Sequence, residues 1–228
     1  MFYNSLDSSY QLILSSTILS KPKSKIDLRQ LTYFEYTNNH SNNVVKLLLC
    51  FYLKHLIGVK IIEFKHKVIQ PTHILKDTII WDYFNNYQQK NLDDKYYHWI
   101  DFLDSYFIGK LKLDNKAVSD KNKIISLELA CLHATLFQFS VWKELLKVKN
   151  ISTYSNIAFS INNSKAVRAV GTAVSQNPIA ILIPCHRILP KNIFNSGANN
   201  DIFNDVGQYM HGAEFKKFLL NLEFGMQV

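Results

Sequence analysis

An uninterrupted apolar run in the C-terminal half of the chain, Ile179 to Ile183, constrains the fold more than any other segment. Five consecutive apolar side chains predict a buried, strand-like segment. Asn177-Pro178 stands before the run and ends the helix that precedes it, because the residue before a proline avoids the helical region. Pro184 follows the run and forces a turn, so Cys185 is expected at the edge of a buried core.

Cys185 is therefore the first candidate for chemistry. His186 and Arg187 follow it, and a cysteine that lies beside a helix start and a histidine gains thiolate character. The thiolate, not the thiol, is the nucleophile in covalent catalysis. The alternative is a buried structural cysteine, which is common among free cysteines. The adjacency of His186 in sequence does not by itself establish contact in space.

Apolar periodicity predicts three helices before this run and one helix after it. They extend from Phe137 to Val148, from Thr153 to Phe159, from Lys165 to Ser175 and from Glu214 to Glu223. Thr153 is the expected N-cap of the second helix. The second and third helices are joined by residues 161–164 and have the proportions of a helix-turn-helix. Helix pairs with polar turns are common, so this signal alone is weak.

The third helix has a surface of small side chains: Ala166, Val167, Ala169, Gly171, Thr172 and Ala173. Gly171 costs about 1 kcal/mol in a helix interior relative to alanine, so its small size should serve a purpose. Close packing against another helix is one explanation. The other is close approach to a DNA minor groove, which is roughly 6 Å wide. In that case Arg168, alone among small residues, reaches into the duplex.

The first half of the chain is predicted to be a separate domain of strands and helices. The predicted strands are Tyr10–Leu19, Leu31–Tyr36 and Val59–Ile69. The predicted helices are Asn43–Leu56 and Trp99–Tyr106, the second of which ends at Gly109. The polar segment 110–123 is the predicted boundary. It separates an N-terminal scaffold domain, 1–123, from a second domain, 124–228, in which residues 192–208 are expected to form a polar loop.

The charge of the chain favours nucleic-acid binding only weakly. Its 26 basic and 18 acidic residues give a net charge of +8, and the excess is spread along the chain instead of forming a basic arm. No Gly-x-Gly or Gly-Lys-Ser/Thr pattern occurs, which argues against a phosphate-binding loop. The N-terminus lacks the features of a targeting segment, and the most apolar stretch, 44–64, contains charges. A cytoplasmic protein with no membrane partner is the expectation.

Three cysteines, Cys50, Cys131 and Cys185, cannot close a disulfide framework or a four-thiolate zinc site. A reduced environment is the simplest interpretation. Cys131 and His133 lie close enough in sequence to suggest a pair of metal ligands. No further cluster of cysteine and histidine lies nearby, so packing is the preferred explanation and no metal is predicted.

Several motifs occur in a fixed order along the chain. They are the pattern from Thr135 to Leu145 with Val141-Trp142, Thr153–Ala158, Arg168–Gly171, Asn177-Pro178, the Ile183–Ile188 segment with Pro-Cys-His-Arg, and Gly207-x-Tyr209-x-x-Gly212 with its continuation to Glu223. Together they resemble the O6-alkylguanine-DNA alkyltransferases, or methylated-DNA–protein-cysteine methyltransferases. The resemblance covers residues 129–223. Before that, only Leu103-x-x-Tyr106-Phe107-x-Gly109 is similar to the family, at the end of its N-terminal domain.

The resemblance implies an α/β fold. A small N-terminal domain of sheet and helix, similar to ribonuclease H, is followed by a helical, winged-helix-like DNA-binding alkyltransferase domain. It also implies direct, irreversible transfer of an alkyl group from O6-alkylguanine in double-stranded DNA to a cysteine, with O4-alkylthymine as a second candidate substrate. Each molecule then acts once, as a monomer and without a cofactor.

Roles for individual residues follow from the resemblance. Cys185 is the acceptor, His186 takes the thiol proton through a water, Glu223 orients His186, and Tyr154 lends its hydroxyl proton to the guanine ring. DNA contacts are assigned to Ala166, Arg168, Ala169 and Gly171. Arg168 fills the gap that the flipped nucleotide leaves. Support of the active site is assigned to Asn177, Pro184, Arg187 and Tyr209.

Other interpretations of these residues stay open at this point. Glu223 near the C-terminus could be solvated, Tyr154 could be plain core, and Lys216 could be a surface cation or a contact to DNA or the active site. The turn at 147–152 is shorter than in the family, Val167 stands where a smaller alanine suits the groove, and the loop 190–206 is longer. The rival functions are a DNA-binding regulatory or lesion-flagging protein without transfer activity, and a Cys–His hydrolase.

Overall fold

The computed structural model has strands in the N-terminal half of the chain and mainly helices in the C-terminal half. The residues that it describes are 9–15, 31–40, 43–53, 55–68, 96–109, 124–130, 134–194 and 206–225. The predicted α/β class is confirmed. The predicted boundary segment 110–123, the Cys131 and His133 pair and most of the predicted loop 192–208 lie outside the described residues.

The N-terminal strands of the described residues form one mixed sheet. They are β1 Ser9–Ser15, β2 Leu31–His40, β3 Asn43–Tyr52, β4 His55–Phe64, β5 Lys67–Val68 and β6 Ile124–Ala130. The order is β1-β6-β4-β3-β2, with β5 paired to β4. Strands β2, β3 and β4 are antiparallel, whereas β6 runs parallel to β1 and β4. Residues 124–130 therefore belong to this sheet, although the predicted second domain starts at residue 124.

The predicted helix over Asn43–Leu56 is wrong, because this segment forms β3 and the start of β4. Its side chains are buried at successive positions from Leu47 to Phe51. A strand that is covered on both faces is apolar at every position, so it lacks the alternation that identifies a half-exposed strand. The β-branched pair Val44-Val45 is the local signal that favours a strand.

The helix α1, Tyr97–Phe107, packs on the sheet through its buried aromatic face. The Trp99 ring, for example, contacts the ring of Phe51 in β3 at a centroid distance of 5.7 Å. The helix is followed, as predicted, by Gly109 with a φ of +72°, a conformation that glycine adopts without steric cost. The predicted strand 31–36 is also confirmed, as is 10–19 over residues 10–15. The predicted strand 59–69 is confirmed only over residues 59–64, because a turn at Lys65 and His66 follows and the chain returns as the separate strand β5.

The four predicted C-terminal helices are confirmed. They are α2 Leu136–Leu145, α3 Tyr154–Ser160, α4 Val167–Ser175 and α5 Ala213–Phe224. The Thr153 hydroxyl accepts a hydrogen bond from the Asn156 amide at 3.1 Å and caps α3 as predicted. Nε1 of Trp142 donates to the Ala173 carbonyl at 2.7 Å, which ties α2 to α4. None of the helices in the described ranges is long and apolar enough to cross a bilayer.

The apolar run 179–183 is buried as predicted, but it forms a series of turns and not a strand. Ile179 makes a single parallel bridge with Val59 of β4, and the Val59 amide donates to the Pro178 carbonyl at 2.9 Å. Ile181 has a φ of +71°, which a β-branched residue rarely adopts. The strained turn is closed by a hydrogen bond from the Leu182 amide to the Ala180 carbonyl at 2.9 Å.

After these turns the chain forms a short 3-10 helix, Cys185–Arg187, and then strand β8, Ile188–Leu189. Strand β8 pairs in parallel with β7, Ser152–Thr153, directly before α3. The candidate cysteine therefore lies between a bridge to the N-terminal sheet and a strand pair of the C-terminal half.

An aromatic cluster joins the last helix to the N-terminal sheet. Phe64 of β4 lies 5.1 Å from Phe215 and 5.0 Å from Phe218 of α5, measured between ring centroids. Phe107 of α1 stacks on Phe218 at 6.4 Å. Because Glu223 lies in the last turn of α5, this packing fixes the position of a predicted site residue against the N-terminal half.

Candidate active site

The Cys185 thiol is buried and held by Asn177. Only 3% of Cys185 is exposed. Nδ2 of Asn177 donates to Sγ of Cys185 at 2.9 Å and to the Ile183 carbonyl at 2.8 Å. Oδ1 of Asn177 accepts from the Ile179 amide at 3.0 Å. One side chain that directly precedes Pro178 thus fixes both the thiol and the turns that lead to it.

Burial raises the pKa of the Cys185 thiol, and three groups partly oppose this effect. They are the hydrogen bonds of Asn177 and Tyr209 and the positive charge of Lys216. The Tyr209 hydroxyl lies 3.9 Å from Sγ. Because burial prevails, the sulfur is a thiol at neutral pH, and a reaction that needs the thiolate must remove its proton.

The residue after the cysteine, His186, is fully buried and paired with Glu223. Its Nε2 lies 3.0 Å from Oε1 of Glu223. Its Nδ1 has no hydrogen-bond partner within the described part of the chain, and no hydrogen bond between described residues joins His186 to the Cys185 sulfur. The two side chains are therefore adjacent in sequence but not joined by a hydrogen bond.

Glu223 is the centre of a buried charge network. Nε of Arg187 donates to its Oε2 at 2.7 Å, and the Tyr106 hydroxyl donates to its Oε1 at 2.7 Å. Burial alone would raise the pKa of Glu223, but the charges and hydrogen bonds of His186 and Arg187 outweigh burial and lower it to about 2. Glu223 is thus an anion at neutral pH, not the solvated side chain that the sequence left open.

Arg187 and Lys216 both brace the active-site turn. A terminal nitrogen of Arg187 donates to the Val148 carbonyl at 2.6 Å, and its guanidinium lies 5.7 Å from the Phe224 ring centroid. Nζ of Lys216 donates to the Ile188 carbonyl at 2.8 Å. Lys216 is only 1% exposed, which excludes the surface-cation interpretation.

A cavity of about 520 Å³ opens beside the thiol, within the size range of roughly 300–1,000 Å³ that small-molecule sites have. Its lining comes from α3, α4, the 3-10 helix, the segment before α5 and the first turn of α5: Tyr154, Gly171, Val174, Ser175, Cys185, Gly207, Gln208, Tyr209, Met210, Ala213 and Lys216. Burial and the nearby Cys185 raise the pKa of Tyr154. Its hydroxyl therefore keeps its proton at neutral pH.

The predicted DNA-contact residues lie on and next to α4. Arg168 and Ala169 are exposed, whereas Ala166 and Gly171 are partly buried, and Val170 faces the core. Among the described residues, the Arg168 guanidinium forms no hydrogen bond or ion pair. A Cβ at Gly171 would meet only a Tyr154 ring carbon, at an ordinary 3.9 Å, so the packing of the described residues does not require glycine there.

Tyr106 is a member of this network that the sequence does not predict, although its motif with Phe107 and Gly109 is part of the resemblance. The position of Lys216 is likewise not predicted from the sequence. The other predicted support residue, Pro184, is buried directly before the cysteine. No group of three or more side chains suited to hold a metal occurs within the ranges that the structure describes.

Known proteins are similar to both halves of this chain. A family profile described as the DNA-binding domain of 6-O-methylguanine DNA methyltransferase matches residues 136–224. A probable methylated-DNA–protein-cysteine methyltransferase of Acanthamoeba polyphaga mimivirus is 46% identical over 94 residues, which cover 40% of this chain and 55% of that protein. The methylated-DNA–protein-cysteine methyltransferase of Metallosphaera sedula is 37% identical over 120 residues, 51% of this chain and 67% of that protein.

The crystal structure of the Mycobacterium tuberculosis OGT protein in complex with DNA has the same fold. The TM-score is 0.56 at 24% sequence identity, over 85% of this chain and 93% of that chain. The chain spans 45–63% of the length of the first curated relatives that it matches. The profile match over α2 to α5, the Metallosphaera relative matched over two thirds of its length and the shared fold show that the chain belongs to the family of methylated-DNA–protein-cysteine methyltransferases.

Proposed function

We propose that the protein repairs DNA by moving an alkyl group from O6 of guanine to Sγ of Cys185. The bond between the alkyl carbon and sulfur forms while the bond between that carbon and O6 breaks. One proton leaves the thiol and one proton joins the guanine ring, so the products are a thioether and an unmodified base. No step of this scheme regenerates the thiol, and each molecule reacts once.

The observation that carries this proposal is the cavity in which Cys185 and Tyr154 lie together. Displacement of guanine from an alkyl carbon needs a nucleophile on one side and a proton for the departing purine on the other. Cys185 supplies the nucleophile. Because the pKa of Tyr154 is raised, its hydroxyl is a proton donor that can meet the charge that develops on the ring.

The thiol proton leaves through His186 in this proposal. Glu223 is ionised and can only accept hydrogen bonds, so Nε2 of His186 carries a hydrogen toward it at 3.0 Å. Nδ1 is then the nitrogen with a free lone pair, and it is buried without a protein partner in the described structure. A water between Nδ1 and Sγ would complete the path from thiol to base. This is the nucleophile, base and orienter arrangement with a thiol as nucleophile.

The exposed face of α4 is the proposed contact to DNA. Gly171 lines the cavity, yet the neighbouring atoms leave room for a methyl group, so its small size is better explained by a close external partner. Arg168 projects from the same helix without a partner among the described residues. The related fold of the tuberculosis protein occurs in complex with DNA. Flipping a base costs a few kcal/mol, and insertion of Arg168 into the gap in the duplex offsets part of that cost.

Mass spectrometry tests the proposal directly. After incubation with a duplex that contains one O6-methylguanine, the peptide with Cys185 is expected to gain one methyl group, in a stoichiometric reaction without turnover. Cys185→Ser should abolish the transfer and leave DNA binding largely intact. Cys50→Ala is the matched control, because Cys50 is also buried and free but lies in β3, and this variant should still transfer the methyl group.

Three outcomes would overturn the proposal. A protein that binds the duplex but gains no methyl group is a lesion-binding or regulatory protein. A methyl group on Cys50 or Cys131 identifies another nucleophile. Repeated turnover with an acyl intermediate identifies a hydrolase.

A further inference from the structure

A tyrosine of the N-terminal half contacts the charge network of the candidate active site. The Tyr106 hydroxyl, on the penultimate residue of α1, donates to Oε1 of Glu223 at 2.7 Å. Tyr106 is 1% exposed and Glu223 is 7% exposed, and the two are 117 residues apart in sequence. A buried hydrogen bond to a charged group is stronger than one between neutral groups.

Oε1 of Glu223 is shared by two donors, because Nε2 of His186 lies 3.0 Å from the same oxygen. The other oxygen, Oε2, accepts from Nε of Arg187. The groups that face the carboxylate are thus His186 and Arg187 from the active-site turn and Tyr106 from α1, with the Tyr209 hydroxyl farther away as an electrostatic neighbour. Three separate donors fix the rotation of the carboxylate.

We propose that Tyr106 is a positioning residue for the proton-accepting histidine, and that it acts through the Glu223 oxygen that the two share. This inference rests on the proposed function and deepens it. The hydroxyl holds the carboxylate in line with Nε2 of His186. It also satisfies part of the charge on Oε1, so the carboxylate attracts the imidazole proton less strongly. Removal of the hydroxyl should therefore strengthen the attraction between the carboxylate and a proton on His186.

The packing of the two halves does not require this hydroxyl. Phe64 and Phe107 already pack on Phe218 of α5, and Val59 already bonds to the Pro178 carbonyl. A phenylalanine at position 106 would fill the same space. The hydroxyl alone adds a contact to the active site, and its oxygen acts on the orienter of the base and not on substrate.

The test compares Tyr106→Phe with wild type and with Tyr36→Phe. Tyr36 is a matched control, because it is also buried and its hydroxyl also donates to a carboxylate, that of Asp104, at 2.7 Å. Tyr36 lies far from Cys185 in sequence, and its hydroxyl bonds to Asp104 and not to Glu223. The rate of methyl transfer from an O6-methylguanine duplex is measured across pH. In Tyr106→Phe the acid limb of the profile should move up by about one pH unit, since one hydrogen bond to a charged group is removed.

Below this limb the rate of Tyr106→Phe should fall about tenfold, which corresponds to one unit of displacement, while the Tyr36→Phe profile should match that of wild type. A merely structural role would lower the melting temperature and leave the limb in place, and this result would overturn the inference. Equal displacement in both variants would overturn it too.

If wild type transfers no methyl group, the proposed function fails. The protonation of His186, followed by ring-nitrogen NMR in the same three proteins, then still tests Tyr106.

A second variant covers the case in which Tyr106→Phe does not fold. 3-Fluorotyrosine at position 106 keeps the hydroxyl and makes it a stronger donor. The acid limb should then move down, opposite to the displacement expected for phenylalanine. A profile that coincides with wild type would contradict the shared-oxygen mechanism.

Discussion

The two sides of Cys185 are organised differently. One side, called the base side here, contains the proposed proton acceptor His186. His186, Arg187 and Glu223 are buried there and joined by hydrogen bonds of 2.7–3.0 Å without any substrate. On the DNA side, Arg168 and Ala169 of α4 are exposed, and the Arg168 guanidinium has no partner among the described residues. In the proposed function, the difference means that the groups for the chemistry are preorganised by the fold, whereas the recognition surface is completed by the DNA.

This division has an energetic reason. Burying charges costs several kcal/mol per ion unless pairing and hydrogen bonds compensate, so the base side is stable only as a complete set. An exposed arginine incurs no such cost and is free to bind phosphate or to insert between bases. Substitutions on the base side should therefore affect folding, and those on the DNA side should affect only reactions with duplex DNA.

The largest effect that sharpens this contrast is expected for Arg187→Leu. The substitution leaves the Glu223 carboxylate buried without its cation, and breaking a buried pair on one side costs about 3–5 kcal/mol. Urea unfolding at pH 7 measures the loss. Lys143→Leu, which removes an exposed cation of α2, should change stability by less than about 0.5 kcal/mol. Similar losses for both variants would mean that the base side is not a cooperative unit.

Arg168→Ala tests the DNA side. We expect unfolding stability within about 0.5 kcal/mol of wild type, but a repair rate on duplex DNA that is lower by about 10- to 100-fold, because the flipped state loses its support. The rate with the free base O6-benzylguanine, if the cavity admits it, should barely change. Arg168→Lys is the control for charge. If lysine restores duplex repair and the salt slope falls by about one unit in Arg168→Ala, Arg168 contacts phosphate instead of filling the gap.

A smaller effect is expected from His211, a buried residue next to the cavity-lining segment. Burial lowers its pKa to about 3, whereas an unfolded histidine has a pKa of about 6.5. Below pH 6.5 the unfolded chain therefore binds a proton at His211 that the folded protein does not bind. The contribution of this group to the free energy of unfolding is complete above pH 6.5 and is lost progressively as the pH falls toward 3. Between pH 6.5 and 5 the loss from this group is about 2 kcal/mol.

Unfolding free energies measured at pH 7.5, 6 and 5 check this expectation. His211→Phe should flatten the decline, because the introduced ring does not titrate. His66→Phe, at an exposed position, should keep the wild-type slope. An unaltered slope in His211→Phe would show that the acid sensitivity between pH 7.5 and 5 arises from another group.

How far the sequence predicts the fold depends on whether its signals are local. The helices α2 to α5 carry their own periodicity, α2 and α3 also have side-chain caps at Thr135 and Thr153, and the positions of all four helices are confirmed. The segment Asn43–Leu56 carries no such signal, because β3 is buried on both faces. Its partner strands β2 and β4 are adjacent in sequence, but the side chains that cover it, such as Tyr96 and Trp99, lie far along the chain. An apolar run of this kind suits either structure until its partners are known.

The candidate site follows the same rule. Cys185, His186 and Arg187 stand together in one motif, so a resemblance was enough to propose them, and their roles stay predictions. Tyr106 lies in the other half of the chain, and only the folded arrangement brings its hydroxyl to Glu223. The positive φ of Ile181 could not be predicted either, because a β-branched side chain favours an extended strand.

The bond between the Val59 amide and the Pro178 carbonyl also bears on the order in which the protein folds. It closes a loop of more than one hundred residues, and such distant contacts form later than local helices because the entropy of closure must be overcome first. The turns that hold Cys185 begin directly after this contact, whereas α2, α3 and α4 precede it in the chain. During synthesis β4 leaves the ribosome well before residue 178, so the partner strand is made before the turns that precede Cys185. The thiol thus acquires its protected surroundings at the end of folding, when the two halves of the chain meet.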